Sequence, residues 1–221
     1  RLAVLTASDM ILIQVLDVAD GKSIYQADVW ALDGFKLLDD NHLLQWSSFC
    51  QGPGGASYCT SAVGVVDLST SNWTGMGRNP NNNDQLDPEM VYAVAASADG
   101  ARLATSGTRQ MIRLWDASLG QELLRIEGVG VVTALAFSAD GLRLAAGSAD
   151  GVLSVFNVAD GSLLLHSPAL GGEFSELAYV NQDIQIAARM DQCKGLILNA
   201  ATAKVVTSFD PPAGEILAVR G

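Results

Sequence analysis

Two cysteines, Cys50 and Cys59, bracket a glycine-rich stretch that reads SSFCQGPGGASYCTS from Ser47 to Ser61. Their spacing is wrong for a Cys-x2–4-Cys zinc site, and His42 and His166 stand at no ligand spacing from either cysteine. A bridge between them would close a short loop, contribute roughly 2.5–3 kcal/mol on the chain-entropy model, and imply an oxidising, extracytoplasmic compartment. Three free thiols, with Cys193 as the third, are the alternative, because pairing cannot be read from sequence. Nucleophilic catalysis needs a base beside the nucleophile, and neither histidine has a Ser or Cys partner in a recognisable motif. The chain has no Gly-x-Ser-x-Gly, no phosphate-cradling glycine loop and no Gly-x-Gly-x-x-Gly, so no cofactor is expected and no catalytic residue is nominated.

These residues sit in a chain of 221 residues, 49% hydrophobic, which is enough to bury a core as one all-β domain. Its formal charge is −11, from 24 acidic and 13 basic residues, and the basic residues are scattered. Phosphate neutralisation has no footprint in such a pattern, so nucleic acid is not an expected partner. No apolar run reaches the ~18 residues of a membrane-spanning helix. The first residues, RLAVLT, lack a starting Met, which reads as a processed product or a portion of something longer.

The elements that position the candidate residues emerge from internal similarity. VYAVAASADGARLATSGTRQMIRLWDASLGQELLRIEG aligns with VTALAFSADGLRLAAGSADGVLSVFNVADGSLLLHSPA, so that Asp99 and Asp140 are 41 residues apart, as are Asp116 and Asn157. Each unit holds four short apolar or alternating runs separated by Asp-Gly or an equivalent, the pattern of a four-stranded antiparallel meander. A third unit places Asn199 in register, 42 residues after Asn157, and upstream the corresponding residues Asp17, Asp67 and Asp116 are 50 and 49 apart.

ADGARLATSGTRQMIRLWDASLGQELLRIEG resembles a tryptophan-aspartate (WD) repeat, with Trp115-Asp116 ending the third strand and Phe137 to Gly141 matching the turn between first and second strands. Some repeat endings, such as DVADGKSIYQ and NAATAKVVTSF, are similar to those of bacterial quinoprotein-like propellers. The resemblance implies an all-β fold: a β-propeller of four-stranded antiparallel blades, about five of them visible, either a closed five-bladed ring or a fragment of a larger one. The blades are expected over 1–28 with 214–221, then 29–78, 91–128, 131–168 and 173–210, as a single propeller domain spanning 1–221 with insertions at 47–61 and 75–90. The strand from Glu215 to Val219 would complete the first blade. Departures from the family pattern include Val129 in place of its His, Phe156 in place of Trp, and Gln110 in place of the turn Asp for which Asp150 stands in the next repeat, so the family's buried hydrogen-bonded tetrad is incomplete.

On propeller logic both insertions fall on one face, and two adjacent long loops on a rigid face are where a binding surface is expected. Tyr58, Met76, Arg78, Asp84, Asp87 and Glu89 are the nominated partner-binding residues, Cys50 and Cys59 the nominated disulfide, and Asn72, in Asn-Trp-Thr, a possible glycosylation site. Trp73 is as well suited to packing as to anchoring a partner. Asp84, Asp87 and Glu89 match no calcium-loop spacing, so no metal is expected. The expected function is a non-catalytic interaction scaffold or accessory subunit that binds other protein subunits. The rivals are a ligand-binding or hydrolytic propeller using carboxylates such as Asp33 or Asp183 at its channel mouth, and a purely structural extracellular domain.

Overall fold

A computed structural model describes residues 1–7, 11–29, 34–51, 58–76, 90–191 and 194–210. Every regular element longer than a turn in them is a strand, and the strands form five antiparallel sheets. The chain is all-β, and its sheets are the blades of a β-propeller. By internal contacts it divides into two compact units, 1–90 with 116–122, and 91–115 with 123–221.

The first sheet has three strands, β1 (Leu2–Ala7), β2 (Ile11–Leu16) and β3 (Ser23–Val29). The second has four: β4 (Gly34–Leu37), β5 (His42–Gln51), β6 (Tyr58–Asp67) and β7 (Trp73–Gly75). Ile13 and Val15 of β2 and Leu43, Val66 and Leu68 of the second sheet form one buried cluster.

The next three sheets follow the 41-residue repeat. They are β8 (Val91–Ala96) to β11 (Glu122–Glu127) through β9 (Arg102–Gly107) and β10 (Met111–Asp116); β12 (Val132–Phe137) to β15 (Leu163–His166) through β13 (Arg143–Ser148) and β14 (Leu153–Asn157); and β16 (Phe174–Val180) to β19 (Val205–Phe209) through β17 (Gln185–Met190) and β18 (Lys194–Asn199). The middle strands of each sheet are the most buried: β13 reads as an intermediate Arg143 followed by five buried residues. Continuous burial on both faces is why RLAAGS, like RLATSG of β9, carries small and apolar residues with little alternation. Close approach is set by glycine. A Cβ at Gly147 would overlap the ring of Phe174, which is fully buried across the neighbouring sheet among Leu153, Ile186 and Met190.

The five acidic or amide residues that mark the repeat share one structural duty. Asp67, Asp116, Asn157 and Asn199 each end the third strand of a four-stranded sheet, Asp17 directly follows the middle strand of the three-stranded one, and each accepts hydrogen bonds from backbone amides two or three residues on. Asp116 Oδ1, for example, takes the Ser118 amide at 2.9 Å, the Ser118 hydroxyl at 2.6 Å and the Leu119 amide at 2.9 Å. A short side-chain acceptor that closes the turn onto its own backbone is what Asp and Asn supply and Glu or Gln does not. Periodicity at this position is therefore turn chemistry.

Candidate functional site

The sheet that carries the two cysteines departs from the others. β4 pairs with β5 only as far as Gly34 opposite Trp46, and β7 pairs with β6 only as far as Gly75 opposite Gly64. The β5–β6 ladder continues for five more residue pairs, from Ser47–Ala62 to Gln51–Tyr58. Among the described residues these pairs have no strand on either side. They form a two-stranded ribbon roughly 15 Å long at ~3.3 Å per residue. Within residues 47–61 the strands run further than the sequence suggests: β5 continues to Gln51 and β6 begins at Tyr58, and 52–57 lie outside the described residues. Ser, Thr and Cys on a ladder with no flanking strands read as loop in sequence, because nothing local demands that they pair.

Within the ribbon Cys50 lies directly opposite Cys59. The class of that pair follows from the ladder. Leu68 donates its amide to the Asn41 carbonyl at 2.8 Å, which makes 41–68 a hydrogen-bonded pair, one step before His42–Asp67. The register is unbroken from there, and hydrogen-bonded and non-hydrogen-bonded pairs alternate, so Cys50–Cys59 is a non-hydrogen-bonded pair. In that class Cα atoms stand about 4.5 Å apart, inside the range a disulfide spans. Cys193 lies outside the described residues.

The base of the ribbon is rigidly packed. The Trp73 ring lies over Gly64 and Gly75, where any Cβ would overlap it, and the Trp46 ring lies over Gly34 in the same way. Trp73 is thus a packing residue of the sheet. Met76 is 6% exposed and donates its amide to Val63 at 2.8 Å, so its side chain belongs to the interior of the sheet and presents nothing to a partner. That bond also means the chain leaves β7 at the foot of the ribbon. Tyr58 opens β6 at the ribbon's far end. Arg78, Asp84, Asp87 and Glu89, with the rest of 77–89, lie outside the described residues. Asn72 is exposed in the turn before β7, where its carbonyl accepts the Asp67 amide.

The remaining candidates are structural. His42 Nδ1 donates to Asp39 Oδ2 at 2.7 Å in the turn between β4 and β5, and His166 lies 3.1 Å from Ser154 across β14 and β15. Asp33 and the strand expected over Glu215 to Val219 lie outside the described residues. Asp183 takes the Ala139 amide on both carboxylate oxygens, at 3.0 and 2.9 Å, and lies 3.7 Å from Arg143. It ties the turn after β16 to the turn after β12, across neighbouring sheets. Arg143 also stands over the Tyr179 ring at 5.3 Å, and burial pushes that phenol up to about 12. Among the described residues no cluster of three His, Cys, Asp or Glu could hold a metal ion.

Carboxylate titration follows the turns. Hydrogen bonds, first from the hydroxyl two residues away, hold Asp67, Asp99, Asp116, Asp140 and Asp160 below the usual carboxylate range. Groups stabilised in their charged form are poor proton shuttles at neutral pH.

The third sheet keeps one bond of the family's tetrad. Trp115 Nε1 donates to Thr105 Oγ1 at 2.8 Å, both side chains buried. In the fourth sheet the equivalent positions hold Phe156 and Ala146, so that bond is absent. The turn between second and third strands corrects the sequence alignment. Gln110 corresponds to Gly151, both with positive φ, 56° and 80°, and both donating to a carbonyl three residues back. Asp150 therefore corresponds to Arg109, and Gln110 fills a glycine's role.

The WD domain, G-beta repeat family model matches residues 85–116 and 120–157. The second match runs over β11 and then β12 to β14, so the sequence repeat is offset by one strand from the structural sheet. No curated protein matches the chain. The two matched repeats and the five antiparallel sheets fit a WD-repeat propeller. Proteins of that class typically bind other proteins and are typically non-catalytic. Among the described residues no helix is long and apolar enough to cross a membrane.

Proposed function

We propose that the protein is a non-catalytic interaction scaffold or accessory subunit, and that the β5–β6 ribbon with the segment following β7 is the part that engages its protein partner. The observation that supports this most is the five-pair ribbon, which has no flanking strand among the described residues. A two-stranded hairpin is marginal on its own in water, so such an extension adds little to the fold. An element of that kind is retained where it contacts something else. Cys50 and Cys59 bridge in this reading, which pins the ribbon in one register, and Tyr58, Arg78, Asp84, Asp87 and Glu89 contribute to the contact.

The test shortens the ribbon without disturbing the sheet. Replacing residues 48–61 by Asn-Gly joins Ser47 to Ala62, a hydrogen-bonded pair, by the two-residue turn such pairs accept. The shortened chain is expected to fold and to lose its stable partner in affinity capture from its native source. Retention of every partner would refute the assignment. Thiol titration under denaturing, non-reducing conditions tests the bridge separately: one free thiol per chain is expected, and three would refute it.

A further inference from the structure

The fourth sheet carries an opening that its neighbour's sequence would fill. A groove of about 550 Å³ runs over β13 to β15 and is bounded on one side by the end of β11 and the link to β12. Ile126, Val132, Ala146 and Phe156 form its apolar floor. Ala146 and Phe156 are the counterparts of Thr105 and Trp115, which pack and hydrogen-bond to each other in the preceding sheet. A Thr-to-Ala and Trp-to-Phe difference removes both volume and a buried donor-acceptor pair at one spot. The result is an apolar recess with no polar group of that pair left unmatched.

Its rim has one sign of fixed charge. Glu127 and Asp150 are both exposed there, and no Lys or Arg is among the lining residues. Alongside runs the outward edge of β15, the last strand of its sheet. Edge strands are ordinarily protected by charged side chains. β11 has Glu122, Arg125 and Glu127, whereas β15, Leu-Leu-Leu-His, has no fixed charge and exposes Leu163 and Leu164 at 55% and 54%. β19 is also uncharged and exposed, but the opening beside it is lined by Lys194 as well as Asp191 and Asp210, with no apolar floor of this kind.

We propose that the groove and the β15 edge together bind an extended segment of a partner protein. The segment adds to the sheet as a fifth strand beside β15, lays an apolar side chain against Leu163 at the mouth of the groove, and carries a neighbouring Lys or Arg that meets Glu127 and Asp150. Main-chain pairing supplies affinity in strand addition, and the pocket for an alternate side chain supplies selectivity. The acidic rim selects a basic neighbour and disfavours an acidic one. This proposal does not depend on the assignment of the ribbon.

Three synthetic decapeptides serve as probes: alternating Val and Arg, alternating Val and Glu, and alternating Gly and Arg. Amide shifts in a two-dimensional NMR titration of the full chain are expected with the first alone, confined to β15 and to residues 126–132 and 146–156. Two variants keep the test falsifiable. Leu164→Lys changes only an exposed edge position and is expected to weaken binding at least ~10-fold. The Ala146→Thr, Phe156→Trp double variant rebuilds the neighbouring sheet's bonded pair, fills the recess, and is expected to do the same. Glu127→Lys is expected to shift preference toward the Val-Glu peptide. Equal binding of all three peptides, shifts confined to the ribbon, no shifts at all, or undiminished binding by both the edge and the filled-groove variants would overturn the proposal.

Discussion

The sheet of β4 to β7 and the sheet of β12 to β15 have the same strand order and the same turn after the third strand, yet they distribute their residues differently. In the latter every strand has a neighbour for its whole length, the connections are four or five residues long and each contains Asp-Gly, and the core residues Leu144, Ala145 and Leu153 are fully buried. In the former the outer strands have four and three residues while the inner pair has ten each. The core of that sheet, Leu43, Leu44, Val65 and Val66, sits entirely within the flanked part. One sheet is flanked along its whole length, and the other extends its inner pair beyond the described reach of its outer strands.

This contrast can be broken at its strongest point first. Phe174→Ala removes a fully buried ring packed across β13, and is expected to destabilise the protein by about 3–5 kcal/mol in denaturant unfolding. A loss below ~1 kcal/mol would show that the regular sheets do not carry the stability. Trp115→Phe, which leaves the Thr105 hydroxyl buried without its donor, is expected to cost about 1–3 kcal/mol. The same measurement on a chain that also carries Thr105→Ala should recover part of that loss, because the second change removes the stranded acceptor.

A smaller effect comes from acid. Asp99, Asp116 and Asp140 have folded-state values depressed by hydroxyl and backbone donors. Their contribution is complete above the unfolded carboxylate value of about 3.9 and is lost as pH falls below it toward the depressed folded values. Unfolding midpoints are therefore expected to be flat near neutrality and to drop below about pH 4. Asp116→Asn, which copies Asn157 at the same position, is expected to leave the neutral midpoint nearly unchanged and to make the acid drop shallower. An unchanged acid limb would remove Asp116 from the account. The smallest effect belongs to the ribbon: shortening it to Ser47-Asn-Gly-Ala62 is expected to move the thermal midpoint by no more than a few degrees.

What the sequence made legible follows the same division. The repeat, the strand count of the regular sheets and the role of Asp-Gly could be read because each rests on a local requirement, an apolar run or a side chain that closes its own turn. The ribbon could not be read, since Ser47, Ser48, Thr60 and Ser61 pair only because a partner strand lies opposite them. Gln110 stands at the place of the family's turn Asp in sequence, whereas the constraint visible in the structure is positive φ, which aligns it with Gly151. Met76 has the composition of an interface residue and is buried by the turn that ends β7. The groove leaves its trace only in the joint change of two positions 41 residues apart from their counterparts, and volume at one spot is visible only once the strands are side by side.

In the proposed reading the ribbon engages the partner and the β4–β7 sheet folds without it. The most direct test of that reading is quantitative cross-linking of the full chain and the ribbon-shortened chain in extract from the native source, with both confirmed folded by matching thermal midpoints. The account predicts that cross-links to the stable partner fall at least ~10-fold in the shortened chain, with those of the full chain concentrated at the ribbon and the segment after β7. Equal recovery of the partner by both chains, at equal folded fraction, would contradict it.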